Sequence, residues 1–310
     1  MTGKINKEKQ EGSITKIRKR LVVALLKTIS FLPFRVIYGL STFLFYLNKY
    51  FLKYRYQVTT ENLQYAFPEK TDEERAEIRD RFYRHFFDFS LESVKLYHAS
   101  EQQMRKRIVF KDLPRDEKLI GEKKGAIVLA FHYNNWEWCS FIQTQFKYPI
   151  LMVYNPPRYN KPMENFLKHS RGKWGGRVIP TVQAARAIFE YKAKGEPAVL
   201  WLAADQTAKA NSPFWITFLN REAAFFTGPE KIAEKTNLPV FFQHVKKVAR
   251  GKYEVEISLL AEEPKKLNPN EILSAYVEKM EEIIRQEPAY YLWSHRRWKH
   301  NRPTQTELIK

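Results

Sequence analysis

An α/β fold, a mixed sheet flanked by helices, is what this sequence predicts, and three observations predict it. Short apolar runs at residues 126–131, 150–154, 198–203 and 240–245 alternate with stretches of helical character at 136–145, 163–168, 182–194 and 229–235. Such alternation builds a sheet covered by helices. Residues 239–260 read as a hairpin turning through Ala249-Arg250-Gly251-Lys252, which adds antiparallel pairing and makes the sheet mixed. Thr71-Asp72-Glu73-Glu74 is a capping box that opens a helix to about Tyr97, with Ile78, Phe82, Phe86, Phe89 and Val94 near helical spacing. A last helix covers residues 269–286.

The first fifty residues are of another kind. Residues 21–52 are strongly apolar over a length that matches a hydrocarbon core, with Lys27 and Arg35 as interior charges. Two charges and Pro33 make a clean span costly. The segment therefore reads as either a span or an amphipathic helix lying in a membrane interface, with Lys27, Arg35, Lys49 and Lys53 reaching headgroups. A plain core helix is the bland alternative. A basic stretch before it and no small-residue cleavage site argue against a removed signal. The organisation is then a basic tail and membrane-associated helix at residues 1–54, followed by one catalytic domain at 55–310.

Lys and Arg number 53 against 34 Asp and Glu, a formal net charge of +19, which attracts polyanions: nucleic acid, an anionic membrane or an acidic carrier protein. Residues 1–20 hold seven basic side chains against two Glu, and residues 285–310 six against two. No nucleic-acid reader motif occurs, and the apolar N-terminal segment has no place in such a protein, so nucleic acid is set aside as a partner. The single cysteine, Cys139, excludes an intrachain disulfide framework and a cysteine zinc cluster. Trp136, Trp138 and Phe141 beside it mark a buried, inert thiol.

The sharpest local feature is Phe131-His132-Tyr133-Asn134-Asn135-Trp136-Glu137, after one apolar run and before a helical stretch. His132 thus closes a strand at its carboxyl end, where open α/β sheets put their ligand sites. An imidazole there accepts a proton near neutral pH, and a carboxylate a short turn away holds its tautomer. Asp205 closes another apolar run and is read either as a site residue or as a turn cap.

These residues resemble the lipid A late acyltransferases, a branch of the lysophospholipid acyltransferase superfamily with a His-x4-Asp/Glu motif, often H-x-G-N-W-E. Here the motif keeps all but the glycine, which is Asn134. The likeness extends through Val153-Tyr154-Asn155-Pro156-Pro157-Arg158, Arg171-Gly172-Lys173-Trp174-Gly175-Gly176, Asp205-Gln206, Thr227-Gly228-Pro229 and the closing Tyr291-Leu292-Trp293-Ser294-His295-Arg296-Arg297-Trp298-Lys299. The early arginine of the second block is replaced by Asn155, and Thr207-Ala208 follow Asp205-Gln206 where the family often has an acidic residue or glycine.

The resemblance implies a glycerol-3-phosphate acyltransferase-like fold and transfer of an acyl chain from an acyl carrier protein thioester to a hydroxyl of a lipid A precursor. It implies work at the cytoplasmic face of the inner membrane, with no cofactor and no metal. It makes His132 the general base oriented by Glu137, and assigns substrate contacts to Arg158, Arg171, Asp205 and Gln206. An acceptor of another class, a lysophospholipid or an aminolipid, is the alternative. The closing basic and aromatic block is expected to meet headgroups, carrier protein or substrate phosphate.

Overall fold

The computed structural model describes residues 13–309, so most of the basic stretch at residues 1–20 lies outside the described residues. Helix α1 (Ser13–Phe31) and helix α2 (Phe34–Leu47) replace the single helix expected over residues 21–52. Pro33 separates them, because its ring fixes φ and it has no N–H to continue the ladder. A π-helical turn, Asn48–Leu52, follows, and Lys53 ends it in the left-handed region at φ 46°. Among the described residues no helix is long and apolar enough to cross a membrane. Phe34 and Phe45 of α2 are buried in the cores, whereas Leu21, Leu25, Phe31, Phe43 and Phe51 stay exposed.

Helix α3 (Tyr56–Ala66) leads into α4 (Asp72–Lys95). The capping box is formed as the sequence predicts: the Thr71 hydroxyl accepts from the Glu74 N–H while the Glu74 carboxylate accepts from the Thr71 N–H. Such a cap is worth about 1 kcal/mol. The buried face of α4 carries Ile78, Phe82, Tyr83 and Leu91. A short helix α5 (Glu101–Arg105) precedes strand β1 (Ile108–Phe110) and helix α6 (Leu113–Lys123).

The main sheet has seven strands in the order β1-β9-β8-β2-β5-β3-β4, with β2 (Ala126–Ala130), β3 (Ile150–Tyr154), β4 (Arg177–Pro180), β5 (Val199–Ala203), β8 (Val240–Ala249) and β9 (Lys252–Ala261). Only β8 and β9 pair antiparallel; the other five neighbouring pairs are parallel. The expected hairpin is that antiparallel pair, so the sheet is mixed, as read from the sequence. Helices α7 (Lys161–Gly172), α8 (Ala184–Lys194), α9 (Gly228–Thr236) and α10 (Glu271–Gln286) complete the fold, with a small hairpin of β6 (Trp215–Phe218) and β7 (Arg221–Ala224).

All five residues of β2 are buried, because both faces of the sheet are covered. Ile127 and Leu129 face one core with Phe242 and the Tyr276, Val277 and Met280 stripe of α10. Ala126, Val128 and Ala130 face a second core with Trp201, Phe241 and Phe141. Each fully buried Phe or Leu contributes roughly 1.5–3 kcal/mol through removal from water.

Candidate active site

The register of two central strands sets the site. Strands β2 and β5 pair in parallel from Ala126 opposite Val199 to Ala130 opposite Ala203. His132 and Asp205 each lie two residues beyond that last pair, so they emerge side by side at the carboxyl edge. The His132 Nδ1 and Asp205 Oδ1 atoms are 2.7 Å apart, and the His132 backbone N–H donates to Asp205 Oδ2 at 3.1 Å. Asp205 therefore holds both the ring and the backbone of His132.

Glu137 has a different partner. The Arg171 guanidinium, near the end of α7, grips it through two bonds, from Nε to Oε2 at 2.7 Å and from Nη2 to Oε1. Glu137, expected to orient His132, has its hydrogen bonds on Arg171, and the carboxylate on Nδ1 is Asp205. Arg171, expected to contact substrate, lines the cavity described below and engages Glu137 through two of its three nitrogens. Arg158 lies exposed on the loop after β3 and is not part of the cavity wall described below. Gln206 points its Nε2 at His132 Nε2, 3.2 Å away.

The electrostatics follow from these partners. Burial opposes a charged imidazole, but the charge and hydrogen bond of Asp205, helped by Glu137, outweigh it and hold the His132 pKa above its ordinary value. Burial also opposes the Asp205 carboxylate, and His132 together with the buried Arg297 outweighs it, so Asp205 stays below the usual carboxylate range. For Glu137 the burial cost is overcome by Arg171, with the same result. Both carboxylates are held ionised at neutral pH. Burial pushes the Cys139 thiol well above its usual range, which makes it a poor nucleophile.

The loop between His132 and Glu137 is fastened on every side. Asn134, standing where the family form carries glycine, adopts φ 53°, a left-handed conformation that asparagine tolerates best after glycine. Its side chain donates to the Val245 carbonyl at 2.7 Å. Asn135 caps the Trp138 N–H and donates to the buried Glu92 carboxylate at 2.7 Å. Glu92 also accepts from the Tyr38 and Tyr253 hydroxyls, at 2.8 Å each. Sequence reasoning missed Glu92 and Tyr253, because each belongs to an element whose apolar pattern gives no sign of a polar hub.

A cavity of about 700 Å³ opens beside His132. That size falls within the ordinary range for ligand sites. Its walls are largely apolar, with Ile150, Met152, Leu167, Phe189 and Trp201, and its rim includes Gly228, Pro229 and the exposed Lys231 and Lys235 of α9. Among the described residues no group of three or more His, Cys, Asp or Glu side chains is placed to hold a metal ion.

The closing basic and aromatic block is largely internal, against the expectation of an outward docking motif. Tyr291, Trp293, Ser294, Arg297 and Trp298 are buried. The Arg297 guanidinium lies 4.0 Å from the centre of the Phe225 ring. An aromatic face accepts this weakly hydrated cation where a lysine would resist burial. Only Arg296 and Lys299 of the block are exposed.

The arrangement combines a carboxylate-held histidine with an apolar cavity able to take a long aliphatic chain. Comparison with known proteins agrees with that chemistry. The family model described as bacterial lipid A biosynthesis acyltransferase matches residues 6–300. The chain is 24% identical to the lipid A biosynthesis acyltransferase of Haemophilus influenzae, over 88% of this chain and 85% of that protein. It is 24% identical to the lipid A biosynthesis lauroyltransferase of Escherichia coli over 90% of each, and 23% identical to the palmitoleoyltransferase of the same organism over 86% of each. With the motif block, the His132 site and a family match over nearly its whole length, this chain belongs to the bacterial lipid A biosynthesis acyltransferases.

Proposed function

We propose that this protein moves a fatty acyl chain from an acyl carrier protein thioester to a hydroxyl of a lipid A precursor, with His132 as the general base. The observation that carries the reading is the 2.7 Å pairing of His132 with Asp205 at the mouth of a large apolar cavity. With Asp205 accepting the Nδ1–H, Nε2 carries the lone pair, and the Gln206 amide that donates to it at 3.2 Å gives way to the acceptor hydroxyl. The acceptor hydroxyl gives its proton to Nε2 as its oxygen attacks the thioester carbonyl. The tetrahedral intermediate then collapses, the carbon–sulfur bond breaks, and the imidazolium returns the proton to the leaving thiolate. Asp205 and Glu137 stabilise that imidazolium, Asp205 by direct contact and Glu137 by its charge. No covalent enzyme intermediate is needed.

The same reading gives residues 1–54 the role of a membrane-facing element on a catalytic domain of residues 55–310, at the cytoplasmic face of the inner membrane. The exposed Leu21, Leu25, Phe31, Phe43 and Phe51 supply an apolar surface for an interface, and neighbouring basic residues match anionic headgroups. Arg158, exposed on the loop after β3, is a candidate for an acceptor phosphate.

The deciding assay uses the purified chain in mixed micelles with a labelled acyl carrier protein thioester and a tetra-acylated lipid A precursor. Transfer to that precursor, lost in His132→Ala, supports the reading. Transfer only to a lysophospholipid or an aminolipid replaces the acceptor, and activity that survives His132→Ala removes the mechanism.

A further inference from the structure

One polar side chain in the cavity is used by nothing described above. Gln243 sits on β8, where the alternation of the strand turns Phe241 and Val245 into the same core. The pairing of Leu129 with Phe242 places Gln243 beside Ala130, and both residues line the cavity. Gln243 is only 1% exposed, and among the described residues neither its Nε2 nor its Oε1 meets a nitrogen or oxygen partner. The thiol of Cys139, close by, is a weak partner at best. Leucine or methionine fills such a position without penalty, so a buried amide with both groups unmet points to an occupant that meets them.

We propose that Gln243 reads a hydroxyl on the acyl chain that fills this cavity, which makes a hydroxylated acyl thioester the preferred donor. The inference rests on the acyl-transfer reading and deepens it. A hydroxyl donates one hydrogen bond and accepts others, so it answers both the carbonyl and the amino group of one glutamine. A plain methylene chain answers neither. Position along the strand locates the hydroxyl. Ala130 lies two residues before His132, roughly 7 Å at the rise of a strand, so Gln243 faces the thioester end of a bound chain rather than its tip.

The test compares two acyl carrier protein thioesters of equal length, one saturated and one with a 3-hydroxyl, at fixed lipid A precursor. The wild-type chain is expected to favour the hydroxylated donor by at least ~10-fold in kcat/KM, because a site built around a hydroxyl rejects the analogue that lacks it. In Gln243→Leu the preference inverts, with the saturated chain gaining and the hydroxylated chain losing. Gln243→Met, closer in shape, gives the same comparison if the leucine variant folds poorly. Free 3-hydroxy and plain fatty acids supply a readout independent of turnover: the hydroxy acid should raise the melting temperature of wild type more, and of Gln243→Met no more, than the plain acid. Equal use of the two thioesters by wild type overturns the proposal and leaves acyl transfer standing, with a water meeting Gln243 instead. Absence of transfer from either thioester, with selective stabilisation by the hydroxy acid, keeps the pocket preference and removes the acyl-transfer reading. Absence of both removes the two together.

Discussion

Buried carboxylates fasten the same loop from two sides, and their pKa values are shifted in opposite directions. At the catalytic edge Asp205 and Glu137 face cations, the imidazole of His132 and the guanidinium of Arg171, and both are held below the usual carboxylate range. Beneath the loop, the Glu92 carboxylate has, among the described residues, neutral hydrogen-bond donors, two phenols and the amide of Asn135. Burial there outweighs those hydrogen bonds and lifts its pKa. Burial is similar in the two places, so the charge of the partner decides the direction of the shift. Asp205 and Glu137 put charge beside His132, whereas Glu92 holds the loop through Asn135.

The comparison breaks most severely at its shared ligand. His132→Ala removes the base and should lower acyl transfer by about 10³–10⁴-fold with the circular dichroism spectrum unchanged; a residual rate near wild type would make the charged edge irrelevant to catalysis. Asp205→Asn keeps the shape and removes the charge, with an expected loss of about 10³-fold. Since Asp205 raises the His132 pKa, the wild-type kcat/KM should rise with pH through a value above 6.5. In Asp205→Asn that acid limb should move to lower pH, and an unmoved limb would take the orienting role away from Asp205.

Glu137→Ala sharpens the distinction within the edge. It strands Arg171, whose side chain is only 21% exposed, and should cost about 3 kcal/mol of stability in denaturant melts. Its activity should fall by about 10–100-fold, less than for Asp205→Asn. Adding Arg171→Met should restore part of the stability. A well-folded Glu137→Ala enzyme that loses more activity than Asp205→Asn would return the orienting role to Glu137. Glu92→Gln should have the smallest effect, about 1 kcal/mol, with kcat within a few-fold of wild type. Because the folded-state pKa of Glu92 is raised, its contribution is present below its ordinary value of 4.5 and is lost as pH rises through the folded value. Melts at increasing pH should therefore shift in favour of the variant relative to wild type; parallel curves would mean that Glu92 is ionised in the fold.

Much of this was legible in the chain. The apolar runs that end at Phe131 and Ala203 announce strands, and the polar residues that follow, His132 and Asp205, announce an edge. Asn134 in place of glycine is readable as a left-handed turn once its φ of 53° is seen, but the sequence offers it only as a mismatch. Strand β4 and the β6/β7 hairpin escaped notice because four residues each are too few to establish a period. The block at residues 291–299 misled through its cations, since a guanidinium buried on phenylalanine rings has the composition of a surface.

By itself the sequence determined the alternation that makes a mixed α/β sheet, the capping box at Thr71 and the presence of a histidine just beyond a strand end. Pro33, equally visible, determined that the apolar segment is two helices. Which carboxylate meets His132 was decided only by tertiary structure. Glu137 is five residues away along the chain and Asp205 is 73, yet parallel pairing of β2 with β5 brings the distant one to 2.7 Å while Arg171 draws the near one aside. Local spacing fixes which face a side chain leaves from; strand register and competition among buried charges fix what it touches.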